Sequence, residues 1–503
     1  MKPRKITAII LSAALVAALA GCAAEAPAPT EPTEVPTTVA PTEPTAQTDV
    51  TDIVLSDDGV TCASAAVYTA NDIIYYESGH DESYGEGDES DAHDAAEAAA
   101  HTVVHITAPG TYRVTGTLSA GQLFVDLGED ARNDPAARVT LLLDNAEITC
   151  TVAPAVFFYR VYECADDEVF TLTPDLTDAG AVVELANGSD NLVNGAFVAR
   201  IYKEGTTEKL HKYDGAFYSR MSMRIEGDSG SLSVNGTNEG IDTELHLEIN
   251  GGNLTIISQD DGINTNEDGI SVTTVNGGFL SVNGGYGDEG DGIDSNGALV
   301  INGGTVFASA NERTGDGGID ADVGIYLNGG TLVAAGSRND SAAAESTQQY
   351  MELTFAQTVR EGSEVCIKNG EEVLYSDTVT RPFSSLTVSM PEMETGIAYT
   401  VTVDGVVQQH GGPTANAGKP EIGLLEPPGG MDAPVEAVEG GAPHGERPEK
   451  PDGEVPEKPE GTPPEKPDGE RPDLPDRGTD TEVSQEFTLT EANHGFFNVR
   501  DAN

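Results

Sequence analysis

The chain of 503 residues carries 85 Asp and Glu against 26 Lys and Arg, a formal charge of −59, which repels phosphate backbones and anionic lipid headgroups and excludes nucleic acid as a partner. The partners such a charge favours are metal cations and polyanions bridged by cations. Trp is absent, aromatic residues make up 6% and apolar residues only 38%, so flat ring platforms for sugars are scarce and part of the length stays outside any core.

Lys2, Arg4 and Lys5 precede an apolar run over residues 6–20, too short to be retained as a membrane-spanning helix. The run ends in Leu19-Ala20-Gly21-Cys22, which resembles a bacterial lipoprotein signal. Residues 1–21 are then expected to be removed, and Cys22 becomes the lipidated first residue of an extracytoplasmic protein held at the cell surface by that anchor. The competing reading is an ordinary secretory signal with a chance cysteine. Residues 22–51, dominated by Pro, Thr, Ala and Glu, read as an extended, disordered spacer. Residues 82–99, rich in Asp, Glu, Gly and Ala, read as an inserted loop. Strand patterns follow at 110–118, 139–143, 156–162 and 182–185.

From there the chain repeats. Asn-Gly-Gly recurs at Asn250, Asn276, Asn302 and Asn328, three intervals of 26 residues, with an extra copy at Asn283 outside the beat. Ile249, Val275, Ile301 and Leu327 precede the turns; Leu254, Leu280, Val306 and Leu332 follow them. Alternation with period two predicts strands, and the glycines supply the turn between them. Such a unit cannot bury its apolar face alone and must stack on its neighbours. A propeller blade needs about 40 residues or more, so the 26-residue period predicts a parallel β-helix over 52–338. The beat stops after that. Alternating stretches such as 364–367 and 399–403 predict a small antiparallel β unit over 339–405, closing an end that would otherwise expose unpaired backbone. Residues 406–482, with Pro-Glu-Lys-Pro beginning at Pro448, Pro456 and Pro464, read as a stiff disordered arm; residues 483–503 form a C-terminal segment. Past the signal, Cys62, Cys150, Cys164 and Cys366 are too sparse for a disulfide framework and read as small buried apolar residues, although a Cys150–Cys164 pair stays open.

A second element precedes each turn: Gly240-Ile241-Asp242, Gly262-Ile263-Asn264, Gly292-Ile293-Asp294 and Gly318-Ile319-Asp320. Further acids flank it, notably Asp260, Asp261, Asp291, Asp316 and Asp322. Equivalent positions on stacked coils lie about 4.8 Å apart. Carboxylates at that spacing repel when bare, and Ca–O distances of about 2.3–2.6 Å let one Ca2+ bridge them. The candidate metal ligands are therefore Asp242, Asp260, Asp261, Asp291, Asp294, Asp316, Asp320 and Asp322; the competing reading is hydrogen-bonded turns. The Asn column is expected to be a structural amide ladder, and Phe279, Phe307 and Tyr326 to be core. Tyr286, in a loop beside Asp288, is the aromatic residue placed to touch sugar. A calcium-dependent lyase needs a basic side chain near the metal, yet Arg313 is the only Lys or Arg between Gly236 and Ser337. Asp260-Asp261 resembles the carboxylate pair of inverting polygalacturonases, but the His-Gly and Arg-x-Lys companions of that family are missing from the repeat region. A lyase or polygalacturonase-like hydrolase therefore ranks below binding, and a purely structural surface spacer ranks third.

Taken together, Gly110-Thr111-Tyr112 through Leu118, Ala216-Phe217-Tyr218-Ser219, Gly230-Ser231-Leu232-Ser233-Val234-Asn235-Gly236, Asp260-Asp261-Gly262-Ile263 and the Gly292-Ile293-Asp294 and Asn302-Gly303-Gly304 elements resemble a family of clostridial-type surface proteins described as carbohydrate-binding. The resemblance covers about residues 100–405. It implies an all-β, right-handed parallel β-helix similar to pectate lyases, bound calcium, and binding of cellulose or acidic sugars such as polygalacturonate. A departure is the pair Asn264 and Asn266, standing where lysines often follow this element in the family.

Overall fold

The computed structural model describes residues 50–73, 95–195, 213–411, 483–491 and 494–502. The expected signal with Cys22, the spacer as far as 49, the acidic loop as far as 94 and residues 412–482 of the arm lie outside the described residues. Within them the chain is all-β apart from single short helical turns at Ala95–Ala99 and Ala131–Asn133.

The predicted alternation becomes three parallel ladders. The first stacks Val50–Leu55, Gly110–Leu118, Val139–Thr149, Ala181–Leu185, Met223–Gly227, Leu247–Ile249, Val272–Val275, Ala298–Ile301 and Gly324–Leu327. The second stacks Asp190–Gly195, Ser231–Gly236, Asn253–Ser258, Phe279–Asn283, Thr305–Ser309 and Thr331–Gly336, and joins the first through the far half of Val139–Thr149. The third is a separate sheet of Thr102–Ile106, Gly121–Asp126, Val156–Arg160, Gly215–Ser219, Glu239–Thr243 and Ile263–Thr265, prolonged as single bridges from Ile263 to Ile293 to Ile319.

The Asn-Gly-Gly turns show why both glycines recur. The second glycine has φ of 90°, 87°, 82° and 77° at Gly252, Gly278, Gly304 and Gly330, a conformation that L side chains resist. A Cβ on the first would lie 2.7, 2.5 and 2.4 Å from the carbonyl oxygens of Asn250, Asn276 and Asn302, at Gly277, Gly303 and Gly329 respectively. Inside, the columns Ile249/Val275/Ile301/Leu327, Leu254/Leu280/Val306/Leu332 and Ile241/Ile263/Ile293/Ile319 meet in one core, each residue at most 1% exposed.

Of the three rings expected in the core, Phe279 departs from it, while Phe307 and Tyr326 are half-buried against smaller cores. Leu280 and Val282 take the inward positions of their strand, so Phe279 points outward and is 40% exposed, 5.9 Å from the ring of Phe307. Phe307 is covered from outside by the C-terminal unit, and Tyr326 packs beside Phe170 and Leu172 on a small satellite core. The four cysteines among the described residues are free, with Cys150 and Cys366 buried and Cys62 and Cys164 half-buried. No Cys150–Cys164 bridge forms.

The ends are closed by antiparallel strands. Thr61–Cys62 pairs with Val50–Leu55, and Val67–Ala70 with Thr102–Ile106. At the other end Phe383–Ser389 pairs antiparallel with both Thr331–Gly336 and Tyr350–Val359. That unit continues past 405: Val406–Gln409 pairs with Ala398–Val403 and with Gly495–Asp501. Phe487–Thr488 adds to Ala398–Val403. Residues from the C-terminal segment thus complete a second core around Leu353, Ile367, Leu386, Tyr399, Phe487 and Phe496.

Candidate functional site

The third ladder carries the Gly-Ile-Asp elements. A Cβ on Gly240, Gly262 or Gly292 would lie 2.4–2.5 Å from the carbonyl oxygen of Gly262, Gly292 or Gly318 on the next coil, so only glycine lets these coils close up. Each isoleucine then drops into the core and the next residue turns to the opposite face. Backbone bonds from Asp294 to Ile263 (2.8 Å), Asp320 to Ile293 (2.9 Å) and Asp340 to Ile319 (3.1 Å) repeat one pattern. The column therefore reads Asp242, Asn264, Asp294, Asp320 and Asp340. Asp340 follows after 20 residues rather than 26, and the repeat gave no sign of it.

Upstream the same register position is aromatic. Tyr68 pairs with His105, His105 with Phe124, Phe124 with Phe157, Phe157 with Tyr218 and Tyr218 with Asp242. The rings stack or meet edge-on at 4.5 to 5.4 Å. This register position of the third ladder thus changes from aromatic to acidic between Tyr218 and Asp242.

Two groups of acids come together. Asp291, Asp294 and Asp320, all half-buried, each offer a carboxylate oxygen, and these oxygens lie within 4.8 Å of one another. Asp214, Glu239 and Asp242, all buried, do the same. Burial first, then the neighbouring carboxylates, pushes Asp294 up to about 7; burial does the same to Asp291, also about 7, against the Gly317 amide that partly stabilises its charge. Burial with Glu239 and Asp214 close by holds Asp242 well above the usual carboxylate range, and burial with Glu239 and Asp294 does so for Asp261. Acids that resist ionising are the expected state of a crowded oxygen cluster; a divalent cation reverses that balance. Both donor sets are oxygen only, the preference of a hard cation such as Ca2+.

The other expected ligands serve the turns. Asp261 accepts the Asp291 amide at 2.6 Å, and Asp291 in turn accepts the Gly317 amide, coil to coil. Asp316 accepts the Gly290 amide at 2.9 Å and the Thr314 hydroxyl. The Asp260 carbonyl receives Ser258 Oγ and the Gly285 amide. Asp322 lies two positions beyond Asp320 and adds its charge near Asp294. Of the eight predicted residues, Asp291, Asp294 and Asp320 converge, Asp242 belongs to the buried group, and Asp260, Asp261, Asp316 and Asp322 surround them. Asp214 and Glu239 were missed. Aligning Phe217, Ile241 and Ile263 as one inward column would have drawn both toward Asp242.

Tyr286 lies on the loop that leads to Asp291 and is 49% exposed. Arg381, reaching over from the C-terminal unit, covers the back of its ring at 4.4 Å and donates to the carbonyls of Gly284 and Gly285, the latter at 2.9 Å. The loop is pinned further by the Tyr286 amide on the Ser258 carbonyl, 3.1 Å. One face of the ring is thus held in place while the ring stays accessible.

A family model for carbohydrate-binding domain-containing proteins matches residues 100–381. A carbohydrate-binding domain-containing protein of Acetivibrio thermocellus is 30% identical over 154 residues, 30% of this chain and 44% of that relative, so the match spans less than half of the relative's length. Among solved structures, a polysaccharide lyase-like protein from C. thermocellum, determined as a gadolinium derivative, aligns at 22% identity and a TM-score of 0.32, over 56% of this chain and 94% of that one. The family match takes in more than half of the chain and the coils that bear both acidic groups; this protein belongs to the carbohydrate-binding domain-containing family.

Proposed function

We propose that this protein is a cell-surface lipoprotein that binds acidic polysaccharide, such as polygalacturonate, without cleaving it, through calcium held on a right-handed parallel β-helix. The observation that carries the reading is the convergence of Asp291, Asp294 and Asp320 within 4.8 Å at a half-buried place. At −59 the bare surface repels a polyanion. Calcium on the Asp291 group neutralises that repulsion locally and has coordination sites left for a uronate carboxylate. Tyr286 offers an apolar face to the sugar ring next to it. Cellulose, which lacks carboxylates, makes no use of the cation and is the weaker ligand in this reading. The anchor rests on Leu19-Ala20-Gly21-Cys22.

Non-catalytic binding fits the chemistry of the basic groups. Arg313 is the only Lys or Arg between Gly236 and Ser337, and its well-exposed side chain pairs with Glu312 at 3.2 Å. Arg381 spends its donors on carbonyls. His246 is buried, its Nδ1 accepts the Val272 amide at 3.0 Å, and burial lowers it to about 4, which leaves it inside the fold rather than at the rim. The test is retention on immobilised polygalacturonate with Ca2+ and with EDTA, for the native chain and for Asp294→Asn/Asp320→Asn. The expected result is retention lost on chelation and in the double variant, with no unsaturated product formed. Equal retention after chelation removes calcium from the account, and release of unsaturated uronate replaces binding with lyase activity.

A further inference from the structure

Asparagine followed by glycine is the pair in which the next backbone nitrogen reaches the side-chain carbonyl carbon with least hindrance, because glycine has no Cβ. The chain holds ten such pairs, and the fold treats them unequally. Asn250, Asn276, Asn302 and Asn328 bond amide to amide from coil to coil. Asn194 and Asn235 form a shorter row of the same kind, tied to the Thr149 hydroxyl. Asn283 is held by Ser281 and Ser309, and Asn296 by the Asn266 carbonyl at 2.8 Å. Some of the following glycine amides are engaged as well: Gly284 donates to the Ser309 carbonyl at 2.9 Å and Gly329 to that of Ile301 at 3.2 Å. Asn187 lies in a turn closed by the Ser189 amide on the Ala186 carbonyl and accepts the Ser229 hydroxyl at 3.2 Å.

Asn369 differs from the other nine. It ends the strand Glu364–Asn369, and Gly370 opens the two-residue turn into Glu372–Thr378. Pairing of the first strand with Ala398–Val403 stops at Lys368, so the hairpin tip extends past its neighbour, and the hairpin slips register between Ile367 and Lys368. Among the described residues, neither the Asn369 side-chain amide nor the Gly370 N–H has a hydrogen-bond partner. Gly370 takes a φ of 60°, and a Cβ on it would meet nothing within 4 Å.

We infer that Asn369-Gly370 is a site of spontaneous deamidation, the one asparagine–glycine pair whose side chain the fold leaves unbonded. The co-reactants are hydroxide and water. Hydroxide removes the Gly370 amide proton, the nitrogen attacks Asn369 Cγ, and the tetrahedral adduct expels ammonia, which takes its proton from water, to leave a succinimide. Water then opens that ring at either carbonyl and gives aspartate or isoaspartate. Amide and water thus become acid and ammonia, and nothing is oxidised or reduced. A ladder asparagine has to break bonds to both neighbours before its Cγ can turn toward the next nitrogen. The product adds a negative charge beside the exposed Glu371 and Glu372, and isoaspartate lengthens the backbone at the tip by one carbon.

The inference does not depend on sugar or metal binding and is tested on the full chain. Native protein and Asn369→Gln are aged at neutral and at mildly alkaline pH, folded and in urea, and their peptides are mapped by mass spectrometry. In the folded native chain the mass gain of amide to acid is expected at Asn369 on the order of tenfold or more faster than at any asparagine of the Asn250–Asn328 row. It is expected to quicken with pH, to release ammonia in step, and to vanish in Asn369→Gln. In urea the ten pairs should convert at similar rates. A folded chain whose Asn369 stays unconverted, or converts no faster than the ladder, overturns the inference. So does a lead for Asn369 that persists undiminished in urea, which would place the cause in the neighbouring sequence rather than in the fold.

Discussion

At Asp291 and Asp294 burial opposes ionisation, and the consequence for stability has a definite sign. Both are raised to about 7 in the fold, against about 3.9 for an unfolded Asp. Between those values the metal-free native chain holds protons that the unfolded chain has released, so stability falls as pH rises through that window and is fullest below it. Calcium bound as proposed would compete with those protons and reverse the trend. Thermal midpoints with EDTA are expected to drop from pH 5 to pH 8, those with Ca2+ to hold level or rise, and Asp294→Asn to flatten the EDTA slope; midpoints that climb with pH in EDTA contradict this origin. Tyr286 gives the complementary case. An exposed ring face adds about 0.5–1.5 kcal/mol of stacking, so Tyr286→Ala should weaken glycan retention several-fold while shifting stability by less than about 0.5 kcal/mol. Arg381→Gln is expected to lower both, because its guanidinium also satisfies the Gly284 and Gly285 carbonyls.

Among the elements, the amide ladder is the most regular device. Asn276 donates to Asn250 (2.8 Å), Asn302 to Asn276 (2.9 Å) and Asn328 to Asn302 (3.0 Å). The row begins at the carboxylates of Glu226 and Glu248, which accept Asn250 Nδ2, and ends where the Thr347 hydroxyl meets Asn328 Oδ1. Every amide thus points the same way, toward negative charge. Asn302→Ala removes two bonds and is expected to cost about 1–2 kcal/mol in chemical denaturation. Asn302→Asp is expected to cost at least as much, since it sets a carboxylate oxygen against Asn276 Oδ1; an Asp variant as stable as the native chain refutes the assigned direction. This ladder was legible because the 26-residue beat lays equivalent atoms over one another. The Asp214–Glu239–Asp242 group was not, because the coils before Gly236 differ in length. Asp291 and Asp261 mislead in another way: the same acid that looks like a ligand also ties one oxygen to the next coil's backbone.

For the whole molecule, what no local pattern announces is the return of the chain end. The C-terminal strands find partners across the long Pro-rich tract, beyond the reach of any periodicity. Yet the two flanks of that tract meet: the His410 amide donates to the Ser484 carbonyl at 2.9 Å and the Ser484 amide back to His410 at 3.2 Å. Residues 412–482 therefore close a loop whose ends are already paired, and loop closure costs about (3/2)RT ln n. Replacing that stretch by a linker of about five residues shortens the loop roughly fourteenfold and is expected to raise stability by up to about 2 kcal/mol. Stopping the chain after 411 does the opposite. It removes Phe487, Phe496 and Val499 from the second core and uncovers Tyr350–Val359 along the edge where Gly495–Asp501 pairs. Side by side, the excised chain should unfold at or above the native midpoint and stay monodisperse, and the truncated chain should unfold earlier and associate through its bared strands. A truncated chain with the native midpoint would show that the C-terminal strands add nothing to the unit closing the last coil.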